Sequence, residues 1–228
     1  QGVDLLISGV EAEGLAAADA LTQFAQTHRL ARLSIDEGFG AAARWEPEPV
    51  TVTLGGVPVP LPEGAFLQAT LDGEAALVAA VQEIVGQPRK SADLFAGLGT
   101  FALSLPGHVT AVEGARDALL ALQMAANRAG RSINAQHRDL FRRALSVQEL
   151  SEFEAVVLDP PRAGAKEQIE LLAQSTVPII AYVSCNPSTF ARDAALLVAG
   201  GYHLDWIQPV GQFRWSTHVE LAAAFTRG

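Results

Sequence analysis

Cysteine is nearly absent from this chain, with one residue, Cys185, in 228. A lone cysteine rules out an internal disulfide and any metal cluster built only from this chain's thiolates. Charge is also sparse. Charged residues make up 18%, bases number 16 against 25 acids, and the net charge is −9. That balance is the opposite of the basic footprint expected of a dedicated nucleic-acid binder. No apolar run reaches membrane-spanning length and no secretory signal peptide is visible. No internal repeat or low-complexity tract stands out, and low charge with 49% hydrophobic residues argues against disorder. These absences predict a cytoplasmic globular protein with no membrane anchor. The first residue is Gln rather than Met, so the chain reads as a piece of a longer protein.

What is present is apolar material for a sizeable core, with a mean hydropathy of +0.21. Val3 to Ser8 and Leu30 to Ile35 read as strands. Between them Leu15 to Thr27 reads as an amphipathic helix with Leu15, Ala18, Leu21 and Phe24 on one side. Val50 to Leu61 alternates around Gly55-Gly56, a hairpin signal, and its prolines place it at an edge. Phe66 to Thr70 is a short segment, and Asp72 predicts the cap of a helix through Ile84, ended at Gly86 with Pro88 beyond.

From Ser91 strands and helices alternate. Strands are predicted at 91–95, 108–113, 132–136, 154–158, 178–184, 202–208 and 219–225, and helices at 115–129, 140–150, 165–174 and 188–199. The fold class is therefore α/β, with a mostly parallel seven-stranded sheet and helices on both faces. A boundary near residue 87 separates a small α+β domain, 1–87, from this larger domain, 88–228. Charge is uneven, at −6 over residues 1–64 and −3 over the rest. Arg128, Arg131, Arg138, Arg142 and Arg143 form a local cluster that reads either as a solvated helix face or as a phosphate patch.

Several strand ends carry candidate chemistry. Asp93-Leu94-Phe95-Ala96-Gly97-Leu98-Gly99-Thr100-Phe101 follows a strand and is expected to open a helix. Gly97 and Gly99 would let backbone approach a ligand there, although a G-x-G alone also describes a plain tight turn. The third glycine of a dinucleotide fingerprint is missing, which counts against a dinucleotide binder. Glu113 ends the next strand, 20 positions after Asp93, where an acid accepts hydrogen bonds from ribose hydroxyls. Asp139 is placed either to meet an adenine amino group or to cap the helix after it.

Asp159-Pro160-Pro161-Arg162 follows an apolar strand, and two prolines stiffen the loop that holds Asp159. Such an acid accepts a hydrogen bond from a planar base. Cys185 lies 26 positions later in Ser184-Cys185-Asn186-Pro187, at the end of another buried strand. Flanking Ser and Asn-Pro at a ligand-binding sheet end mark it as a nucleophile rather than a packed core thiol. Glu220 enters an apolar final strand, a costly place for an unused carboxylate, and is a general-base candidate. His218 is given no catalytic role.

Together these motifs resemble the RNA uracil-C5 methyltransferases, which use S-adenosylmethionine. The resemblance runs in order through Phe66-Leu67-Gln68, the Asp93–Phe101 loop, Val112-Glu113, Asp159-Pro160-Pro161-Arg162, Ser184-Cys185-Asn186-Pro187 and His218-Val219-Glu220. It implies a Rossmann-like class I methyltransferase domain behind a small central domain. It also implies that Gln68, Phe95, Thr100, Glu113, Asp139 and Asp159 line the methyl-donor and uracil sites. Cys185 would then add to C6 of uracil, Glu220 would remove the C5 proton, and Asp159 would hold the N3–H edge. The substrate would be transfer or ribosomal RNA, with no metal required, no protein partner and a monomeric state.

The chain departs from that family's pattern in four places. Nothing here looks like an N-terminal RNA-binding barrel, and one cysteine cannot hold an iron–sulfur cluster. Thr70 stands where the Phe-x-Gln motif usually ends in Asn, and Gly211-Gln212-Phe213-Arg214-Trp215-Ser216 replaces the usual Asp-Met-Phe-Pro-x-Thr. Two other readings stay open: a cytosine-C5 RNA methyltransferase, and a cofactor-binding module that is silent without a missing RNA-binding part.

Overall fold

A computed structural model describes residues 2–213, 215, 216 and 218–228. Arg214 and Thr217, in the atypical segment before Glu220, lie outside the described residues.

The chain opens with β1 (Val3–Ser8), α1 (Gly14–Thr27) and β2 (Leu30–Asp36), in which the two strands pair in parallel. A third strand, β3 (Ala41–Trp45), adds antiparallel to β2. The sequence pattern did not reveal β3: three exposed alanines have little intrinsic strand preference, and pairing with β2 makes the strand. Ala25, Leu30 and Leu33 form a small core beneath this sheet, with Leu5, Ile7, Leu21 and Trp45 around it. Arg32 is buried in β2. Its Nε donates to Asp4 Oδ1 at 2.9 Å and its Nη1 to the Leu61 carbonyl at 2.8 Å, tying the small sheet to the chain that follows.

The predicted hairpin is β4 (Thr51–Leu54) and β5 (Val57–Pro60), closed over Gly55-Gly56. Next comes α2 (Leu71–Val85), whose N-cap is Thr70 rather than Asp72. Thr70 Oγ1 accepts from the Gly73 N–H, while Asp72 sits in the first turn, where its charge suits the helix dipole.

The alternating part contains β6 (Lys90–Leu94), β7 (His108–Glu113), α3 (Arg116–Arg128), β8 (Ile133–His137), α4 (Val147–Leu150), β9 (Ala155–Leu158), α5 (Lys166–Leu172), β10 (Ile179–Ser184), α6 (Pro187–Ala199), β11 (His203–Val210) and β12 (Glu220–Thr226). Its seven strands form one sheet in the order β11-β12-β10-β9-β6-β7-β8. Strands β6 to β10 pair in parallel, and β12 runs antiparallel between β10 and β11.

Alternate residues of each central strand enter opposite cores, as a sheet covered on both faces requires. Ala155, Val157, Ala181 and Val183 face the layer holding the hairpin, α2 and α3. Val156, Leu158, Ile180 and Tyr182 face the layer holding α5 and α6. The hairpin and α2 thus share a core with the large sheet, whereas the cluster under β1 and β2 is separate. No helix among the described residues is long and apolar enough to cross a membrane.

Two helix expectations are corrected. The helix expected over 140–150 is only α4, because Ser146 and Glu149 form a reciprocal capping box that starts the helix there. Upstream, the buried Gln168 carboxamide pairs with both backbone groups of Leu145 and holds that stretch non-helical. The Asp93–Phe101 loop does not open a regular helix either. Residues 97–104 are a run of turns, interrupted by left-handed backbone at Gly97 (φ +53°) and Gly99 (φ +91°).

Candidate active site

The chain leaves β6 toward β7 and β8 on one side of the sheet and later fills β9 and β10 on the other. Ligands of open α/β sheets bind outside the strands' carboxyl ends at such a reversal. Asp159 follows β9, Cys185 follows β10, Glu113 ends β7, and Asp139 stands two residues beyond β8. Because β12 is antiparallel, its first residue lies at this same end. Ser184 pairs with Leu221, which puts Glu220 beside Cys185. Gln68 arrives from the segment before α2, and its Nε2 donates to Asp159 Oδ2 at 3.3 Å. A separate cavity of about 270 Å³ is lined by Lys90 and His108 at the opposite strand ends and holds none of these residues.

Electrostatics couple the three reactive groups. Glu220 is 6% exposed, and its burial raises its pKa, opposed by the Arg162 charge. Asp159 is pushed up to about 7 by burial and then by the Glu220 charge. Cys185 is half-buried. Burial raises its pKa, Glu220 and Asp159 add to the rise, and Arg162 opposes it. The thiolate is the reactive form, so a raised pKa means less of it at a given pH. Iodoacetamide should therefore label Cys185 more slowly at pH 7.5 than a free cysteine, with the rate climbing at higher pH. Arg162→Gln should slow labelling further, and quench-flow mass spectrometry would measure both effects.

The two loops are stitched together. The Arg162 carbonyl accepts from Asn186 Nδ2 at 3.0 Å and Thr189 Oγ1 at 3.1 Å. Asn186 also caps α6 by accepting from the Ser188 N–H. Asp193, fully buried on α6, accepts from Tyr182 Oη at 2.7 Å and the Ala165 N–H at 2.9 Å. It thereby joins the strand before Cys185 to the loop after Asp159. Arg162 Nη2 donates to His218 Nδ1 at 2.6 Å, which requires that nitrogen to be unprotonated. Sequence reasoning gave no role to Arg162, Asn186, Asp193 or Gln212. The first two lay inside the quoted motifs. The signal for Asp193 was an acid on the helix face that carries Phe190, Ala194 and Leu197.

On the other side of Asp159, the groups fit a nucleoside ligand. Phe95 has φ +64°, an uncommon conformation for a bulky residue, and its N–H donates to the Val112 carbonyl. Its ring lies 5.4 Å from that of Phe141. Glu113 accepts from the Gly97 and Ala115 N–H groups at 2.8 and 2.6 Å, and each carboxylate oxygen keeps a lone pair for a further donor. Open space lies over Gly97, whereas a Cβ on Gly99 would meet Leu122 Cδ1 at 2.4 Å. Thr100 sits half-buried in the same turns. Asp93 is fully buried and pushed up to about 8, chiefly by burial. Its Oδ2 accepts from Ala102, but among the described residues Oδ1 finds no partner. A buried polar oxygen without a partner is what a polar ligand would satisfy. Asp139 Oδ1 accepts from the Phe141 and Arg142 N–H groups, so it caps a turn instead of the expected helix.

The arginine cluster is largely engaged within the protein. Arg131 donates to the Leu103 and Leu105 carbonyls, Arg138 pairs with Glu149, and Arg142 lies 3.5 Å from Asp139. Exposed apolar side chains instead border the site, with Phe66 and Leu71 flanking the Gln68 segment and Phe213 and Trp215 following Gln212.

The sequence pattern of the tRNA (uracil-5-)-methyltransferase family matches residues 110–227. A protein of Zymomonas mobilis described as an uncharacterized RNA methyltransferase is 57% identical, over all of this chain and 58% of its own length. The 23S rRNA (uracil(1939)-C(5))-methyltransferase RlmD of Chromohalobacter salexigens is 39% identical over 78% of this chain and 37% of its own. The chain thus spans little more than half the length of such relatives, or less. Among solved structures, the Pyrococcus abyssi tRNA (uracil-54, C5)-methyltransferase in complex with S-adenosyl-L-homocysteine matches 98% of this chain and 56% of its own, at 24% identity and a TM-score of 0.78. That likeness establishes the fold.

Proposed function

This chain belongs to the tRNA (uracil-5-)-methyltransferase family, and from that premise we propose that it methylates C5 of a uridine in RNA through a covalent cysteine adduct at C6. The observation that carries this reading is the convergence of Cys185, Glu220 and Asp159 at one sheet end, with the Glu113 carboxylate and the Gly97 turn on the neighbouring strands of that end.

S-adenosylmethionine, when bound, supplies an electrophilic methyl group. Glu113, the Gly97 turn, Phe95, Thr100, Asp139, Gln68 and the unpartnered Asp93 Oδ1 are the groups assigned to hold it. Uracil C5 is a poor nucleophile until C6 is attacked. The Cys185 thiolate forms a bond to C6 and drives electron density to C5, which becomes enolate-like. Once C5 carries the methyl group, Glu220 takes the C5 proton, the C5–C6 double bond re-forms and the C6–S bond breaks, returning the thiolate. Ionised Asp159 accepts the uracil N3–H, a donor that cytosine lacks, and this favours uridine over the cytosine reading. Positioning supplies much of the rate, because the methyl transfer itself is an in-line displacement. A base within a stem must be unpaired or flipped to reach Cys185. The exposed rings of Phe66, Phe213 and Trp215 offer stacking surfaces for unpaired bases.

We assign the uridine to transfer or ribosomal RNA and the protein to the cytoplasm as a monomer, with no metal. The division into residues 1–87 and 88–228 is kept as a proposal, in which the two parts share a core through α2. The net charge of −9 favours a second reading, in which this chain binds cofactor and a further segment supplies grip on RNA. Methyl transfer from labelled S-adenosylmethionine to unmodified bulk RNA, with nucleoside analysis, tests both. The expected product is 5-methyluridine. Cofactor binding without RNA methylation would support the second reading.

A further inference from the structure

Gln212 is 7% exposed and lies in the segment that departs from the family pattern. Its side chain is built into the site. Oε1 accepts from the Thr70 N–H at 3.1 Å, and Nε2 donates to Gln68 Oε1 at 2.9 Å. The Gln68 amide nitrogen in turn donates to Asp159 Oδ2 at 3.3 Å. A backbone N–H can only donate, so it fixes which end of the Gln212 carboxamide faces it. Every later link then has one allowed polarity. Gln212 presents NH₂ to Gln68, Gln68 presents NH₂ to Asp159, and Asp159 Oδ2 is held as an acceptor.

The opening of α2 makes room for this arrangement. Position 73 is a glycine inside the first helical turn, where glycine is a poor helix former. A Cβ there would lie 2.5 Å from Gln212 Cγ and 2.6 Å from its Cδ. The glycine therefore leaves the volume that the Gln212 side chain occupies, and the seat and its occupant are matched.

Resting on the uridine reading above, we infer that Gln212 is a positioning residue that orients the Gln68 carboxamide so that Asp159 offers the target base an acceptor. It touches neither base nor cofactor in this role and works through Gln68. The charged and titratable groups that interact with Asp159 are Glu220 from β12, Asp93 from β6, Tyr182 on β10 and Cys185 after it. None of these donates the hydrogen bond that Gln68 supplies to Oδ2. Without that donor the ionised form of Asp159 is less stable, and its titration moves to higher pH.

Gln212→Met keeps the unbranched shape and removes the amide, while Gly73→Ala displaces the same side chain from its seat. Two measurements on the intact protein test the inference. The first is 13C NMR titration of the Asp159 carboxyl, assigned with Asp159→Asn and recorded without RNA. The second is the pH profile of methyl transfer. Both variants should raise the Asp159 midpoint and cut kcat/KM by about tenfold at pH 6.5, with a much smaller loss at pH 8.5. A midpoint unchanged in either folded variant would overturn the inference, as would a loss equal at every pH. If the wild-type protein transfers no methyl group to RNA, the uridine reading fails, and the titration still decides the role of Gln212.

Discussion

Cys185→Ala is expected to abolish methyl transfer, lowering turnover by about 10⁴-fold or more, because without the C6 adduct no other group activates C5. Binding of S-adenosylmethionine, measured by calorimetry, should be retained, since Cys185 lies after β10 and the groups assigned to the cofactor lie on or after β6, β7 and β8 and in the segment before α2. Glu220→Gln should also stop turnover, at a later step. The amide cannot take the C5 proton, so the methylated adduct cannot break down. A covalent protein–RNA species should therefore accumulate in Glu220→Gln, visible as a slow band on a denaturing gel, and be missing from a Cys185→Ala/Glu220→Gln double variant. Undiminished turnover in either single variant would overturn the covalent scheme.

Asp159→Asn should lower kcat/KM on uridine-containing RNA by about 10²-fold or more, because a buried mismatch of donors leaves polar groups unpaired. The direction follows from the hydrogen bonds. Gln68 donates to this position, so the new carboxamide must turn its oxygen to Gln68 and its NH₂ to the base. Uracil N3–H then meets a donor, whereas cytosine N3 is an acceptor, and the preference between the two bases should narrow or reverse. The pH dependence has a matching sign. The wild-type carboxyl titrates near 7, and only its ionised form accepts N3–H, so kcat/KM should rise as pH increases through about 7. The inflection near 7 should vanish in Asp159→Asn, leaving only the steady rise with pH that formation of the Cys185 thiolate imposes. Competition between uridine and cytidine oligonucleotides across pH 5.5 to 8.5 would measure both effects. A variant retaining that inflection would show that another group is responsible for it.

Local signals in the chain go far toward the architecture, and their failures are physical. The inner parallel strands β9 and β10 were legible because each is a short apolar run between turns, buried on both faces, whereas the edge strand β8 is polar and only half-buried. β3 was not, because its exposed alanines become a strand only by pairing with β2. The stretch 140–146 has helical periodicity, but Gln168, remote in sequence, binds the backbone of Leu145, and the capping box starts the helix later. Among the site residues, Asp159, Cys185 and Glu220 stood out because each ends or enters an apolar strand where an unused polar group is costly. Gln212 and Asp193 did not, since a carboxamide or carboxylate reveals its role only through partners far along the chain.

By itself, then, the sequence determined which strands are buried, which loops follow them and which reactive side chains those loops carry. Periodicity, turn residues and the cost of burying polar groups act within a few residues and can be read without a fold. Tertiary structure alone decided which of those side chains meet. The antiparallel course of β12 sets Glu220 beside Cys185, and the packing of α2 against the large sheet delivers Gln68 to Asp159. It also decided their proton affinities. The rise at Asp159 comes from burial and the Glu220 charge, and both exist only once strands distant in sequence have come together.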